Sequence, residues 1–467
     1  MVIWHRFRAR YAIAWLLLIG IIAAASGCKP PARFKQKSTV KQAGPVTLRM
    51  MYWGSVEERD ITNRAISLFT KQHPEIVIRA EQINGGDYNS KLTVQLAAGQ
   101  APDIIFVERN YANSLIRNGA LLDLTSYVGA EPDFPRQDFR PQIWHAFEDT
   151  NGRIYAIPRD MGALVLYYNV RLFREAGVPP PPGSWHDDTW TWDKFLDTAR
   201  KLTRDTNHDG RIDQFGVVMN RWTDMWSPWV YQNGGLIMSP DGTKCVMNTP
   251  ATVEALQFIT DLANQYKVAP NPLQEGVMGN TTNQLFEMNR AAMFPTGFWM
   301  VSEFSRVRNL EWDIAPLPYR KERSTTWHGS AFAIWSKSQH PKEAWEFLKF
   351  CASDEIQQIM AQSGLLIPAR KSMAELPALL DMKIMPPHVR VFMEAFQYAR
   401  AADIISDSIE INDLVNRYLD DIWNGRRPVP QVCDQITRRV NAEIGKLATK
   451  AAAQAIAADA ATTQASP

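Results

Sequence analysis

The feature that most constrains this chain is a regular alternation of strand and helix patterns beginning at Val46. Val46, Leu48, Met50 and Tyr52 alternate with Thr47 and Arg49, the period of a strand with one face covered. Ser55-Val56-Glu57-Glu58 then fits a capping box, with Ser55 as N-cap and Glu58 reaching back to it. Ile61, Ala65, Leu68 and Phe69 fall on one helical face, and Pro74 closes the helix. A second strand is expected from Ile76 to Ala80. A second helix is expected near Asp87, with Tyr88, Leu92 and Leu96 inward. Ile104 to Val107 is continuously apolar, as a strand covered on both faces must be. Strand, helix, strand, helix, strand implies right-handed crossovers and an open α/β sheet. Such sheets bind ligands beyond the carboxyl ends of their strands. That topology puts Trp53-Gly54 and Glu108-Arg109-Asn110 on the cleft side.

A second region of the same kind is expected from Ile154. Ile154 to Ile157 and Leu164 to Tyr168 read as strands, followed by a short helix ending at Gly177. Trp192, Phe195, Leu196, Ala199 and Leu202 make another amphipathic helix behind Thr191 as its cap. Further on, Pro341 suits a helix N1 position, with Ala344, Phe347, Leu348 and Cys351 on one face, and Gly364 ends the helical stretch.

The ends of the chain carry a different message. His5, Arg6, Arg8 and Arg10 precede an apolar run from Tyr11 to Ala25, then Ala25-Ser26-Gly27-Cys28. A charged start, a short apolar run and small residues at a cut read as an export signal. The junction resembles a bacterial lipobox, with Ala25 in place of the usual Leu; it makes residues 1–27 a lipoprotein signal peptide and Cys28 the lipid attachment point. Residues 28–45 are polar and Pro-containing and read as a tether. Residues 451–467 are Ala-rich and read as a frayed helix or disordered tail. A net charge of +2 gives no electrostatic case for a nucleic-acid partner. Beyond Cys28 the odd set Cys245, Cys351 and Cys433 permits one disulfide at most and leaves the pairing open.

Several segments together resemble the sugar-binding extracellular solute-binding proteins of bacterial ABC importers, the group that includes maltose-binding protein. RAISLFTKQHPEI, LAAGQAPDIIFV and NGALLDLTSYV are similar to its first-lobe signatures. GRIYAIPRDMGALVLYYNVRLF resembles the first lobe crossing, TWTWDKFLDTARKLT the second-lobe entry and NRAAMFPTGFWM the segment around a frequent sugar-stacking Trp. HGSAFAIWSKSQHPKEAWEFLKF and GLLIPARKS resemble the return to the first lobe and the exit from it. The resemblance implies a two-lobed type II periplasmic-binding-protein fold, each lobe an open α/β sheet flanked by helices, joined by hinge strands. It implies an N-lobe of residues 46–160 and 313–364 and a C-lobe of 161–312 and 365–450. Crossings are expected near Pro158 to Gly162, Trp312 to Leu317 and Gly364 to Pro368. It also implies a monomer that closes on its solute and delivers it to permease subunits, tethered to a membrane through Cys28, with no cofactor and no catalysis.

Sugars present apolar C–H faces and a rim of hydroxyls, so their sites combine aromatic platforms with planar hydrogen-bonding side chains. Of the 16 tryptophans, Trp53, Trp226, Trp229 and Trp299 lie in segments expected to approach the cleft. The resemblance favours Trp299, behind Gly297, and gives Arg109 and Asn110 the places of polar sugar contacts. Trp312, Trp335 and Trp345 are assigned to packing. Asp160 and Arg370 adjoin the expected hinge and suit a ligand diol or a structural salt bridge equally. These charged groups would also serve a charged solute such as a glycerol phosphate. Asp205, Asn207, Asp209 and Gly210 approach a calcium-loop pattern, but Gly216 stands where its closing Glu belongs, so an ion-free turn competes with calcium. The eight histidines form no zinc motif. Asp187-Asp188 would be the carboxylates of a surface glycoside hydrolase, the competing reading, although neighbours in sequence seldom span a scissile bond.

Overall fold

The computed structural model describes residues 44–380, 382–403, 405 and 409–464. The leader and Cys28 lie outside them. The strands are β1 (Val46–Trp53), β2 (Ile76–Ile83), β3 (Ile104–Glu108), β4 (Ala156–Pro158), β5 (Gly162–Ala163), β6 (Val165–Asn169), β7 (Met293–Thr296), β8 (Trp312–Ala315), β9 (Thr325–His328), β10 (Ser330–Ile334) and β11 (Ala399–Ala401).

The first sheet has the order β2-β1-β3-β10-β4. β1 runs parallel to β2 and to β3, with the helices Val56–Gln72 and Gly85–Ala97 as crossovers. The capping box is in place: Glu58 N donates to Ser55 Oγ at 3.2 Å and Ser55 N donates to Glu58 Oε2 at 2.9 Å. β10 runs antiparallel to both neighbours, pairing Phe332 with Phe106 and with Ile157. Ile154 to Ile157, read from pattern as opening the second region but put by the resemblance in the N-lobe, close the first sheet through β4. The reason is β10, whose five residues are all buried and which needs a partner on each edge.

The second sheet, β7-β6-β8, is antiparallel throughout. β6 is buried at all five positions and carries a strand on each side. β8 pairs Trp312 with Asn169, so residues 313–317, expected in the N-lobe, belong to the C-lobe sheet and its margin. The return crossing comes later, through β9.

Two hydrophobic cores follow from these sheets. One is built from Leu48 to Met161 and Trp327 to Met360, with Ala369. The other runs from Ala163 to Leu317 and from Ala374 to Val440, with Ala361 and Ile367. Between them lies a short sheet, β11-β9-β5. Asp160 bridges to Pro368, and Met161 N donates to Ile367 O at 2.9 Å, so these two segments run side by side. β11 beside β9 is a strand that sequence reading missed, because three residues with no strongly buried position carry no periodicity. The final helix is continuous from Val429 to Gln464, so the Ala-rich segment 451–464 extends it. Cys245, Cys351 and Cys433 are buried free thiols. No helix among the described residues is long and apolar enough to cross a membrane.

Candidate functional site

The carboxyl ends of the first sheet meet the second lobe around β9. Glu108 ends β3, and Arg109 begins the helix Arg109–Arg117. The Arg109 guanidinium donates to Ala402 O at 2.7 Å and lies 5.6 Å over the Trp327 ring. Glu108 is exposed on the cleft side of β3, with protein packed densely behind it. That packing pushes its carboxyl up to about 7, and the carboxylates of Asp224 and Asp160 add to the rise. Asp224 comes from the opposite lobe, in the first turn of the helix Thr223–Gln232, where Thr326 Oγ1 donates to its carbonyl at 2.8 Å. Burial pushes its carboxyl up to about 6, against the pull of Arg109. The site thus faces two carboxylates across the gap between lobes.

The aromatic side is built on β7. After it, Gly297 and Phe298 lead into Trp299, the N-cap of the helix Met300–Ser305. The Trp299 ring folds back over Gly297 so closely that a β-carbon there would stand 2.1 Å from it. Gly297 O accepts from Tyr167 Oη at 2.9 Å, which holds the turn. His328, the last residue of β9, packs its ring edge-on to Trp299 with centroids 4.3 Å apart. Burial pushes His328 down to about 3, so it is neutral, and its Nδ1 has no hydrogen-bond partner among the described residues. Trp299 stays partly exposed.

Of the residues singled out from sequence, Trp53 ends β1 and Arg109 follows β3 in the first lobe, while Gly297 and Trp299 follow β7 in the second. Trp53 is partly exposed, edge-on to Tyr88 and Phe106 at 4.8 and 5.5 Å. Asn110 shares the first turn with Arg109, and its side chain lies outside the described set. Four others are corrected. Trp226 and Trp229 are enclosed, at 1% and 0% exposure, because every residue from Met225 to Gln232 is buried and a helix buried all round is core. Trp229 packs on Trp192, Phe195 and Phe258. Asp160 is committed within the hinge: Ser330 Oγ donates to its Oδ2 at 2.5 Å and Arg159 Nη1 stands 3.1 Å from that oxygen. Arg370 is a clamp inside the first lobe, pairing with Asp138 at 2.8 Å and with Asp354. Glu108 was legible from topology alone. Asp224 and His328 carried no sequence signal: Asp224 is placed by the bond of Thr326 on β9 to its carbonyl, and His328 by its packing on Trp299.

The other charged candidates are surface features. Asp187 accepts from Thr189, and Asp188, 83% exposed, pairs with Arg323. The loop Asp205 to Asp213 is closed on itself, with Asp209 N and Gly210 N donating to the Asp205 carboxylate and Thr206 donating to Asp213. Among the described residues no group of three or more His, Cys, Asp or Glu side chains is arranged to hold a metal ion.

Two α/β lobes with separate cores, paired crossings and a polar and aromatic gap between them define a cleft-binding protein. Residues 53–358 match the model of the bacterial extracellular solute-binding proteins, and the chain belongs to that family. Its fold is shared with an ABC substrate-binding protein of Listeria monocytogenes solved in complex with cycloalternan. That likeness has a TM-score of 0.78 and 25% identity, covering 86% of this chain and 99% of that one. The arabinooligosaccharide-binding protein of Bacillus subtilis is 25% identical over 74% of this chain and 76% of its own length. The galactooligosaccharide-binding protein of the same organism is 20% identical over 93% and 98%.

Proposed function

We propose that this chain is the substrate-binding lipoprotein of an ABC importer, capturing a carbohydrate between its lobes and delivering it to permease subunits by hinge closure. The observation that carries the reading is the seat of Trp299. Its indole is pressed onto Gly297 and edge-on to a neutral His328, yet keeps a partly exposed face. A fixed aromatic face beside polar groups suits the C–H face and hydroxyl rim of a sugar. The oligosaccharide-binding relatives support that choice of solute. Trp53, Arg109, Asn110, Glu108 and Asp224 would take the hydroxyls, and the solute drives closure through its greater affinity for the closed form. Cys28 holds the mature monomer to a membrane, and no catalytic step is involved.

Thermal unfolding against a panel of sugars, polyols and sugar phosphates tests this. A ligand at 100 times its dissociation constant stabilises the folded state by about 2.7 kcal/mol, a shift of a few degrees. A shift with one sugar class names the solute. Silence from all sugars with a shift from glycerol phosphate retains the fold and overturns the carbohydrate.

A further inference from the structure

The run Thr326 to Ser330 keys three groups from both lobes to one stretch of chain. Thr326 Oγ1 donates to the carbonyl of Asp224, His328 packs on Trp299, and Ser330 opens β10 opposite Glu108 at the end of β3. These are alternate positions, about 7 Å per step where the chain is extended. A carboxylate of each lobe is thus anchored to either side of the position that holds Trp299. Neither carboxylate makes a hydrogen bond or an ion pair among the described residues.

The cations close by are committed elsewhere. Arg109 donates to Ala402 O and lies over Trp327. Arg159 stands 2.9 Å from Glu58 and 3.1 Å from Asp160, so that cluster has no positive charge to spare. His328 is neutral. The rim repeats the sign. Glu303 shares a hydrogen bond with Glu287 and is pushed up to about 7 by burial, by that neighbour and by Glu57 of the first lobe. Arg306 is already paired with Glu57. Closing the lobes removes water from Glu108 and Asp224 together, and the hydroxyls of a neutral sugar do not balance two like charges. An anionic solute makes the imbalance worse. Among the described residues the acidic groups do not form a metal site either.

We propose that the solute is an amino sugar, whose ammonium group is shared by Glu108 of the first lobe and Asp224 of the second. The proposal rests on the carbohydrate reading and adds the charge of the solute to it. An ammonium fits on two counts: it donates several hydrogen bonds, enough for both carboxylates, and it is attracted to an indole face such as that of Trp299. Because its two partners belong to different lobes, it is held best when the lobes are closed. That is the differential affinity through which a solute drives closure.

The test is calorimetric binding, in neutral buffer, of glucosamine, galactosamine and their disaccharides, each beside its N-acetylated and its neutral counterpart. The proteins are the wild-type chain, Glu108→Gln and Asp224→Asn. A free amine should bind the wild-type chain at least about tenfold more tightly than both counterparts, and each substitution should bring that ratio to about one. A neutral or N-acetylated sugar that binds as tightly as its amine overturns the amino sugar while the carbohydrate reading stands. A preference for the amine that survives both substitutions puts the ammonium elsewhere and overturns the assignment to Glu108 and Asp224. If no sugar of any kind binds the wild-type chain, both readings fall together.

Discussion

The two lobes share a layered α/β design but supply the cleft differently. The first lobe presents the carboxyl ends of parallel strands, and its contribution is mainly charged: Glu108 and Arg109, with Trp53 at the end of β1. The second presents a loop and a helix start beside an antiparallel sheet, and its contribution is the Gly297–Trp299 turn and Asp224. A parallel sheet sends every strand end to the same edge, so its site is set by topology. In an antiparallel sheet strand ends alternate, so the site falls to individual turns. Two tryptophans of the second lobe make the contrast concrete. Trp229 is wrapped by Trp192, Phe195 and Phe258, whereas Trp299 is backed on one side and open on the other.

The sharpest way to break that contrast is to truncate both rings. Trp229→Ala opens a cavity in the second core and should cost about 3–5 kcal/mol in denaturant unfolding. Trp299→Ala should leave the unfolding midpoint nearly unchanged while weakening sugar binding by more than about tenfold. Equal losses of stability in the two variants would remove the distinction. Gly297→Ala should act like Trp299→Ala, since its β-carbon claims the space of the ring.

The charged side of the comparison is probed by pH. The folded-state carboxyls of Glu108 and Asp224 are raised to about 7 and about 6, above the ordinary values of an unfolded chain. Between about pH 4 and 7 the folded state therefore binds more protons than the unfolded one, and their contribution to stability falls as pH rises. Glu108→Gln should flatten that decline in a series of thermal unfolding curves, and curves parallel to wild type would show that Glu108 does not titrate there. The smallest effect is expected at the lip. Arg306 and Glu57 pair across the lobes with side chains 57% and 29% exposed, so Arg306→Ala should cost less than about 1 kcal/mol. Its trace should appear as a slightly more open ligand-free ensemble in solution scattering.

Much of the fold was readable from residue pattern because the forces involved are local. The Ser55–Glu58 box, the Thr191 cap, Pro341 at N1 and the left-handed turns at Gly177 and Gly364 all act within a few residues of themselves. The same locality explains the misplaced pieces. β8 has an apolar pattern that suits either sheet, and only its pairing with β6 assigns it to the second lobe. β11 owes its existence to β9, not to its own three residues.

The candidate site divides along the same line. By itself the sequence determined the strand–helix order, and through topology the positions of Trp53, Glu108 and Arg109 at the carboxyl ends of β1 and β3. Only the tertiary structure decided that Asp160 and Arg370 are spent on Ser330, Arg159, Asp138 and Asp354, that Trp226 and Trp229 are core, and that Asp224 and His328 join the site. The physical reason is distance along the chain. Whether a Trp or an Asp is free for a solute depends on which groups from the other segments of the fold reach it first, and those contacts exist only once the segments have folded together.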